Sequence, residues 1–181
     1  VSSRQLLGLI NDILEMSRVQ KGKITIENSD FDLKAAIGDY TAPFAIQAER
    51  ENKKFSVSFQ VRNHRVRGDA FRLGQVMNNL LSNAFKFTKP GDSISVCIRQ
   101  EELSEDRFCI IVSDTGAGMS EEFLTRLFLP YERETRFGAK YIAGTGLGME
   151  IVKSIVSQMD GQIKVDSRLG EGSMFTLLLP F

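Results

Sequence analysis

The sequence predicts an α+β fold: a two-layer sandwich in which a mixed sheet of about five strands carries three main helices on one face, with a further helix at the N-terminus. Two observations lead to this prediction. Three long segments read as helices, at 33–51, 69–88 and 147–159. Between and after them lie short segments that alternate or run apolar as strands do, at 55–61, 64–68, 93–99, 107–114, 161–167 and 173–180.

Composition excludes several classes of protein. The 181 residues are enough for one full core and an appendage. The 23 basic and 23 acidic residues cancel, so no charge pattern indicates nucleic-acid binding. The sequence contains no apolar run of about 18 residues, the length needed to span a membrane. We expect Cys97 and Cys109 to be buried, reduced thiols of a cytosolic domain, with a disulfide as the other option. With His64 as the only histidine, no metal site is built from side chains alone.

The N-terminal segment predicts a helix that ends at Gly22. Leu6, Ile10 and Ile13 repeat at nearly heptad spacing, and Leu7 and Leu14 lie beside them. One helix of this length is marginal alone and must pack on something. We therefore expect residues 1–22 to form one unit, 23–31 a linker and 32–181 a globular domain. Packing of this helix on its own domain is the alternative.

The next helix is expected from Leu33 to about Glu51. Asp32 is a plausible N-cap, because its carboxylate can accept a backbone N–H of the first turn. Pro43 is expected to kink or interrupt the helix, since it lacks an N–H. The strand at 55–61 follows, with alternate residues apolar.

The helix at 69–88 has two stripes. The apolar stripe suits a core and comprises Phe71, Val76, Met77, Leu80, Leu81, Ala84 and Phe85. The polar stripe comprises Arg72, Gln75, Asn79, Asn83 and Lys86. Asparagine is a poor helix former, so Asn79 and Asn83, one turn apart, favour a functional face over a merely solvated surface.

The strand at 107–114 is continuously apolar from Phe108 to Val112, which predicts a central strand buried on both faces. It ends in Asp114, followed by Gly116 and Gly118. Asp114 could serve only to form a turn. Ser120 is expected to cap a short helix that ends at Leu127.

Residues 129–145 show no period, which indicates a functional lid or disorder. Then the sequence GTGLG (144–148) leads directly into a helix. Glycines at a helix N-terminus expose backbone N–H groups to a phosphate, although this pattern alone fits a turn equally well. Gly161 is expected to end the helix, and a Gly170/Gly172 turn to join the last two strands.

Taken together, four ordered segments resemble the N, G1, F and G2 boxes of the catalytic ATP-binding domain of sensor histidine kinases, which has the Bergerat (GHKL) fold. They are the helix at 69–88, DTGAGM at 114–119, LFLPY at 127–131 and GTGLGM at 144–149. The N-terminal helix resembles the end of the second helix of the family's dimerisation and phosphoacceptor hairpin.

The resemblance implies ATP and Mg²⁺ as ligands. Asp114 would accept a hydrogen bond from the adenine amino group, and Asn83 would ligate the Mg²⁺ that bridges the phosphates. Gly116 and Gly118 would let the base approach the backbone. The phosphates would lie against the second glycine segment, which comprises Gly144, Thr145, Gly146, Leu147 and Gly148.

Two basic side chains have more open assignments. Lys86, with Arg72, would help to bind ribose or phosphate, or both are ordinary surface charges. Lys140 would reach the γ-phosphate from a closed lid. The sequence departs from the family pattern at Ala117 and at Tyr131, where a larger aliphatic residue and a phenylalanine are usual.

The wider fold family places a catalytic glutamate one turn before the Mg²⁺-binding asparagine. Asn79 stands at that position and cannot take a proton from water, so ATP should be held rather than hydrolysed. This favours a kinase that transfers the γ-phosphoryl group to histidine. His64 lacks the acidic neighbour of the family's acceptor, so we expect the acceptor to lie on a hairpin helix absent from this sequence.

The resemblance also implies a response regulator or receiver domain as partner, a homodimer formed through the hairpin, and a cytoplasmic location. The fragment alone is expected to bind ATP without phosphorylating itself. An ATPase of the wider fold family and a non-catalytic nucleotide-binding or partner-binding module are the alternatives.

Overall fold

A computed structural model describes residues 24–102, 104–130, 132 and 146–181, together with positions 7, 10, 11, 13, 14 and 17, which are helical. The strands are β1 (Ser29–Asp32), β2 (Lys54–Gln60), β3 (Arg65–Gly68), β4 (Ser93–Gln100), β5 (Arg107–Asp114), β6 (Gln162–Arg168) and β7 (Gly172–Pro180). The helices of the domain are α1 (Leu33–Arg50), α2 (Ala70–Phe87), α3 (Glu121–Leu124) and α4 (Gly148–Gln158).

Five strands form one mixed sheet in the order β2-β4-β5-β7-β6. The β2–β4 pair is parallel and the other three pairs are antiparallel. This sheet, with the helices packed on it, confirms the α+β prediction. A second, two-stranded sheet joins β1 to β3. Its β1 strand was not predicted, because four residues of mixed polarity carry no clear alternation.

The helices cover one face of the sheet, and the burial of the strands shows which one. Ile98, Ile110 and Leu177 lie at the same level of adjacent strands and are 0% exposed. Their sequence neighbours on the opposite face, among them Cys97, Cys109 and Ile111, are only half-buried. The prediction that β5 is buried on both faces was therefore wrong. Both cysteines are free thiols, but neither is fully buried.

Helix α2 buries the predicted stripe except at one position. Val76, Met77, Leu80, Leu81, Ala84 and Phe85 are buried, as is Leu73. Phe71 is 76% exposed, so its assignment to the core was wrong. Phe71 precedes Leu73 by two residues, which corresponds to a rotation of about 200° around the helix. Phe71 therefore lies on the side of Gln75 and Asn78.

Several helix ends differ from their predicted positions. Asp32 caps α1 by accepting the Ala35 N–H at 2.9 Å, as predicted, but α1 continues through Pro43 without interruption. Ser120 caps α3 as predicted, yet this helix ends at Leu124 rather than Leu127.

Helix α4 ends before Gly161, and the residue there with positive φ is Asp160, at 56°. A side chain at Gly161 would instead overlap the Leu178 carbonyl oxygen, so this glycine is required by packing against β7. No helix in the part of the chain that the structure describes is long and apolar enough to cross a membrane.

Candidate functional site

The polar stripe of α2 has the chemistry expected of a ligand-binding face. Asn79 and Asn83 are half-buried, and Lys86 is exposed. The Asn79 amide donates to the Gln75 carbonyl oxygen at 3.1 Å, and Arg72 donates to the Gln75 side chain at 2.9 Å. Among the described residues, the Asn83 amide has no hydrogen-bond partner, so its oxygen fits a ligand to a hard cation such as Mg²⁺.

The end of α2 meets the segment that follows β5, residues 114–119, here called the G1 segment. The Ala117 N–H donates to the Phe87 carbonyl oxygen at 3.0 Å. A side chain at Gly116 would overlap this same oxygen. Gly118, with a φ of 63°, lies against the Arg168 carbonyl oxygen, which a side chain would also overlap. Both glycines are thus required by contacts within the protein, a reason that the sequence did not reveal.

Asp114 lies on the helix-covered face of the sheet, in register between Ile94 of β4 and Ser173 of β7. The Gly116 N–H donates to Asp114 Oδ1 at 2.8 Å, which orients the carboxylate. Burial raises the pKa of this carboxyl above its usual value, and the N–H groups of Gly116 and Ser173 oppose that rise. A partly buried carboxylate with unused acceptor capacity fits recognition of a hydrogen-bond donor on a ligand.

The start of α4 meets the polar stripe of α2. Gly146 has a φ of 74°, and Leu147 occupies the N-cap position, where its side chain cannot accept a hydrogen bond. A Cβ atom on Gly148 would lie 3.0 Å from Asn79 Oδ1. The first turn of α4 and Asn79 are therefore neighbours, as the phosphate-binding prediction requires.

The structure thus brings three predicted motifs together: α2 contacts the G1 segment through Phe87, and the start of α4 through Asn79. Gly144, Thr145, Lys140 and Tyr131 lie outside the described residues, so their assignments stay predictions. Two surface cavities of about 370 and 860 Å³ lie elsewhere, and neither is lined by Asp114 or Asn83. Within the described part of the chain, no three His, Cys, Asp or Glu residues cluster as metal ligands.

Two residues that support the G1 segment from the other side were not predicted from the sequence. Ser167 and Ser173 lie on the paired ends of β6 and β7. Ser167 Oγ accepts the Met119 N–H of the G1 segment, and the Ser173 N–H donates to the Asp114 carboxylate. The only local signal was the turn sequence SRLGEGS, which predicts a hairpin but not what the hairpin touches.

Comparison with known proteins agrees with this geometry. Residues 68–181 match the family described as "Histidine kinase-, DNA gyrase B-, and HSP90-like ATPase". The match covers more than half of the chain and includes α2, the G1 segment and α4. The chain belongs to this family.

The relatives that this chain matches include sensor histidine kinases. The sensor histidine kinase GacS of Pseudomonas protegens is 34% identical over 180 residues, which are 98% of this chain and 20% of GacS. The chain spans about a fifth of the length of the relatives it matches first. This chain is thus similar, along nearly its whole length, to one part of a sensor histidine kinase.

Solved structures show the same fold. The catalytic domain of the histidine kinase ThkA is 26% identical, with a TM-score of 0.70 over 85% of this chain and 97% of that one. ThkA in complex with the response regulator protein TrrA matches with a TM-score of 0.72, at 21% identity, over 97% and 48%. Full-length ShkA in complex with AMPPNP matches with a TM-score of 0.82, at 24% identity, over 97% and 36%.

Proposed function

We propose that this chain binds Mg·ATP and transfers its γ-phosphoryl group to a histidine on a dimerisation hairpin. The observation that carries the proposal is that α2, the G1 segment and the start of α4 meet. Asn79 lies against Gly148, and the Phe87 carbonyl accepts a hydrogen bond from the G1 segment. A shared site at this junction gives each motif a role that none has alone.

Each group at the junction has a task that its chemistry allows. Asp114 accepts a hydrogen bond from the adenine amino group at a carboxylate lone pair that the Gly116 N–H does not occupy. The backbone N–H groups at Gly146, Leu147 and Gly148, with the preceding Gly144 and Thr145, receive the phosphates. Asn83 supplies an amide oxygen to Mg²⁺, which when bound neutralises phosphate charge. Lys86 and Lys140 assist at the ribose or phosphates.

Asn79 distinguishes a kinase from an ATPase. Its amide N–H donates to the Gln75 carbonyl oxygen, and neither the amide nitrogen nor the amide oxygen is basic enough to take a proton from water. The site therefore holds ATP until an acceptor arrives, and the attacking group comes from another domain. His64 lies in the loop before β3 and lacks, in the sequence, the acidic neighbour of the family's acceptor, so we do not assign it that role.

The proposal includes a division of the chain and its partners. Residues 1–22 are the end of a hairpin helix, 23–31 a linker whose last residues pair with β3 as part of β1, and 32–181 the catalytic domain, which works in the cytoplasm. A homodimer forms through the hairpin. The phosphoryl group passes on to a response regulator or receiver domain, and the complex of ThkA with TrrA supports this step.

The test is phosphorylation, with γ-labelled ATP, of a separately supplied hairpin domain that carries the acceptor histidine. We expect labelled phosphohistidine on the hairpin, recognised by its loss in acid, and no label on the chain itself. Rapid release of inorganic phosphate without any acceptor would favour the ATPase alternative. Absence of both products together with absence of ATP binding would favour the non-catalytic alternative.

A further inference from the structure

One serine hydroxyl joins the G1 segment to the turn between β6 and β7. Ser167 Oγ accepts the Met119 N–H at 2.8 Å and donates to the Gly172 carbonyl oxygen at 2.8 Å. The Ser173 hydroxyl lies 2.9 Å from the same Oγ atom. Ser167 thus uses both its proton and its acceptor capacity, and connects residues 48 positions apart in the sequence.

Backbone contacts surround this hydroxyl. The Gly170 N–H donates to the Ala117 carbonyl oxygen at 2.9 Å. A side chain at Gly118 would overlap the Arg168 carbonyl, and one at Gly172 would overlap the Asp114 carbonyl. The turn and the G1 segment therefore lie backbone to backbone, and little displacement of one is possible without the other.

The Ser167 contacts lead to the Asp114 carboxylate, which the proposed function assigns to recognition of the base. Ser173, paired with Ser167 across the β6–β7 ladder, is also paired with Asp114, and its N–H favours the charged form of that carboxylate. The opposite end of the G1 segment, Met119, is bonded to Ser167. Asp114 is thus oriented within a segment that Ser167 fixes at its far end.

We propose that Ser167 is a positioning residue for recognition of the nucleotide base: its hydroxyl fixes the G1 segment on the β6–β7 turn and thereby orients the Asp114 carboxylate. This inference rests on the proposed binding of ATP. Ser167 itself touches no substrate. Its removal leaves the Met119 N–H and the Gly172 carbonyl without their partner, so the G1 segment loosens and the base is held less selectively.

The test is calorimetric titration of Ser167→Ala with Mg·ATP and Mg·GTP. We expect ATP affinity to fall about 5- to 10-fold, the effect of one lost hydrogen-bonded link, and the preference for ATP over GTP to shrink. At saturating ATP, the rate of transfer to a supplied hairpin should stay unchanged, since only binding is affected. Hydrogen exchange at the Met119 amide should become faster. Ser167→Thr retains the hydroxyl and should restore both affinity and preference.

Ser95→Ala is the matched control, because Ser95 Oγ lies 2.8 Å from Ser113 Oγ on the uncovered face of the same sheet. Should Ser167→Ala fail to fold, Ser167→Cys keeps the volume with a weaker donor and should show the same losses. Unchanged affinity and unchanged preference in folded Ser167→Ala or Ser167→Cys would overturn the positioning role and leave ATP binding intact. Failure of the unsubstituted chain to bind either nucleotide would overturn the proposed function and this role with it.

Discussion

At the scale of single residues, the site depends on side chains placed where they cost stability. Asp114 is a partly buried carboxylate at the end of β5, between Ile94 and Ser173, and burial raises its pKa. Glu150, in the first turn of α4, has a buried Oε2 atom without a hydrogen bond to any described residue, and burial raises its pKa as well. Such groups are tolerated where they serve a ligand. Asp114 has that role in the proposal.

Asp114→Asn tests the stability cost of burying this carboxylate, because it changes how the free energy of unfolding depends on pH. Because the pKa is raised on folding, the folded state binds more protons than the unfolded state between the two pKa values, and the free energy of unfolding falls as pH rises through that range. In the variant this contribution is absent. We expect its stability relative to the unsubstituted chain to increase with pH and then level off, as measured by urea denaturation at a series of pH values. A difference that stays constant or decreases with pH would contradict the assignment.

At the scale of elements, periodicity predicted the helices and strands well, because the core face repeats at regular spacing in α2 and α4. It failed where a single position departs from the repeat, as at Phe71, and where a strand is only four residues long, as in β1. Gly116 and Gly118 were recognised as necessary, but their actual neighbours, the Phe87 and Arg168 carbonyls, are distant in sequence. Such long-range contacts leave no local pattern.

The end of α2 is stabilised by a buried lysine. The Lys53 ammonium, with a side chain 5% exposed, donates to the Phe85 carbonyl oxygen at 2.6 Å and pairs with Glu51 at 2.7 Å. It also lies over the Phe85 ring, 5.3 Å from its centroid. Because the last carbonyls of a helix lack partners within it, this ammonium acts as a C-terminal cap.

Lys53→Met keeps the aliphatic stem and removes the charge. We expect the free energy of unfolding to fall by about 2 kcal/mol, the range for a hydrogen bond that involves a charged group. The neighbouring Lys54 is exposed, so Lys54→Met should change stability by less than about 0.5 kcal/mol. Urea denaturation of both variants measures the two effects. Equal stability of the two variants would show that Lys53 does not cap α2.

At the scale of the whole molecule, a sheet covered by helices on one face supports a site at the junction of α2, α4 and the end of β5. In the N-terminal segment, Leu7, Ile10, Ile13 and Leu14 are 46–64% exposed and form an apolar surface. The proposed hairpin and dimer would cover it. The chain is about a fifth as long as the first relatives it matches.

The most direct test of the central claim is calorimetric titration of the unsubstituted chain and of Asp114→Asn with Mg·ATP. We predict binding to the unsubstituted chain that weakens by at least ~1.5 kcal/mol, about tenfold, in the variant, because the charge-assisted hydrogen bond to the adenine amino group is lost. Equal binding to both proteins would remove Asp114 from the base site. No binding to either protein would contradict the assignment of this junction as an ATP site.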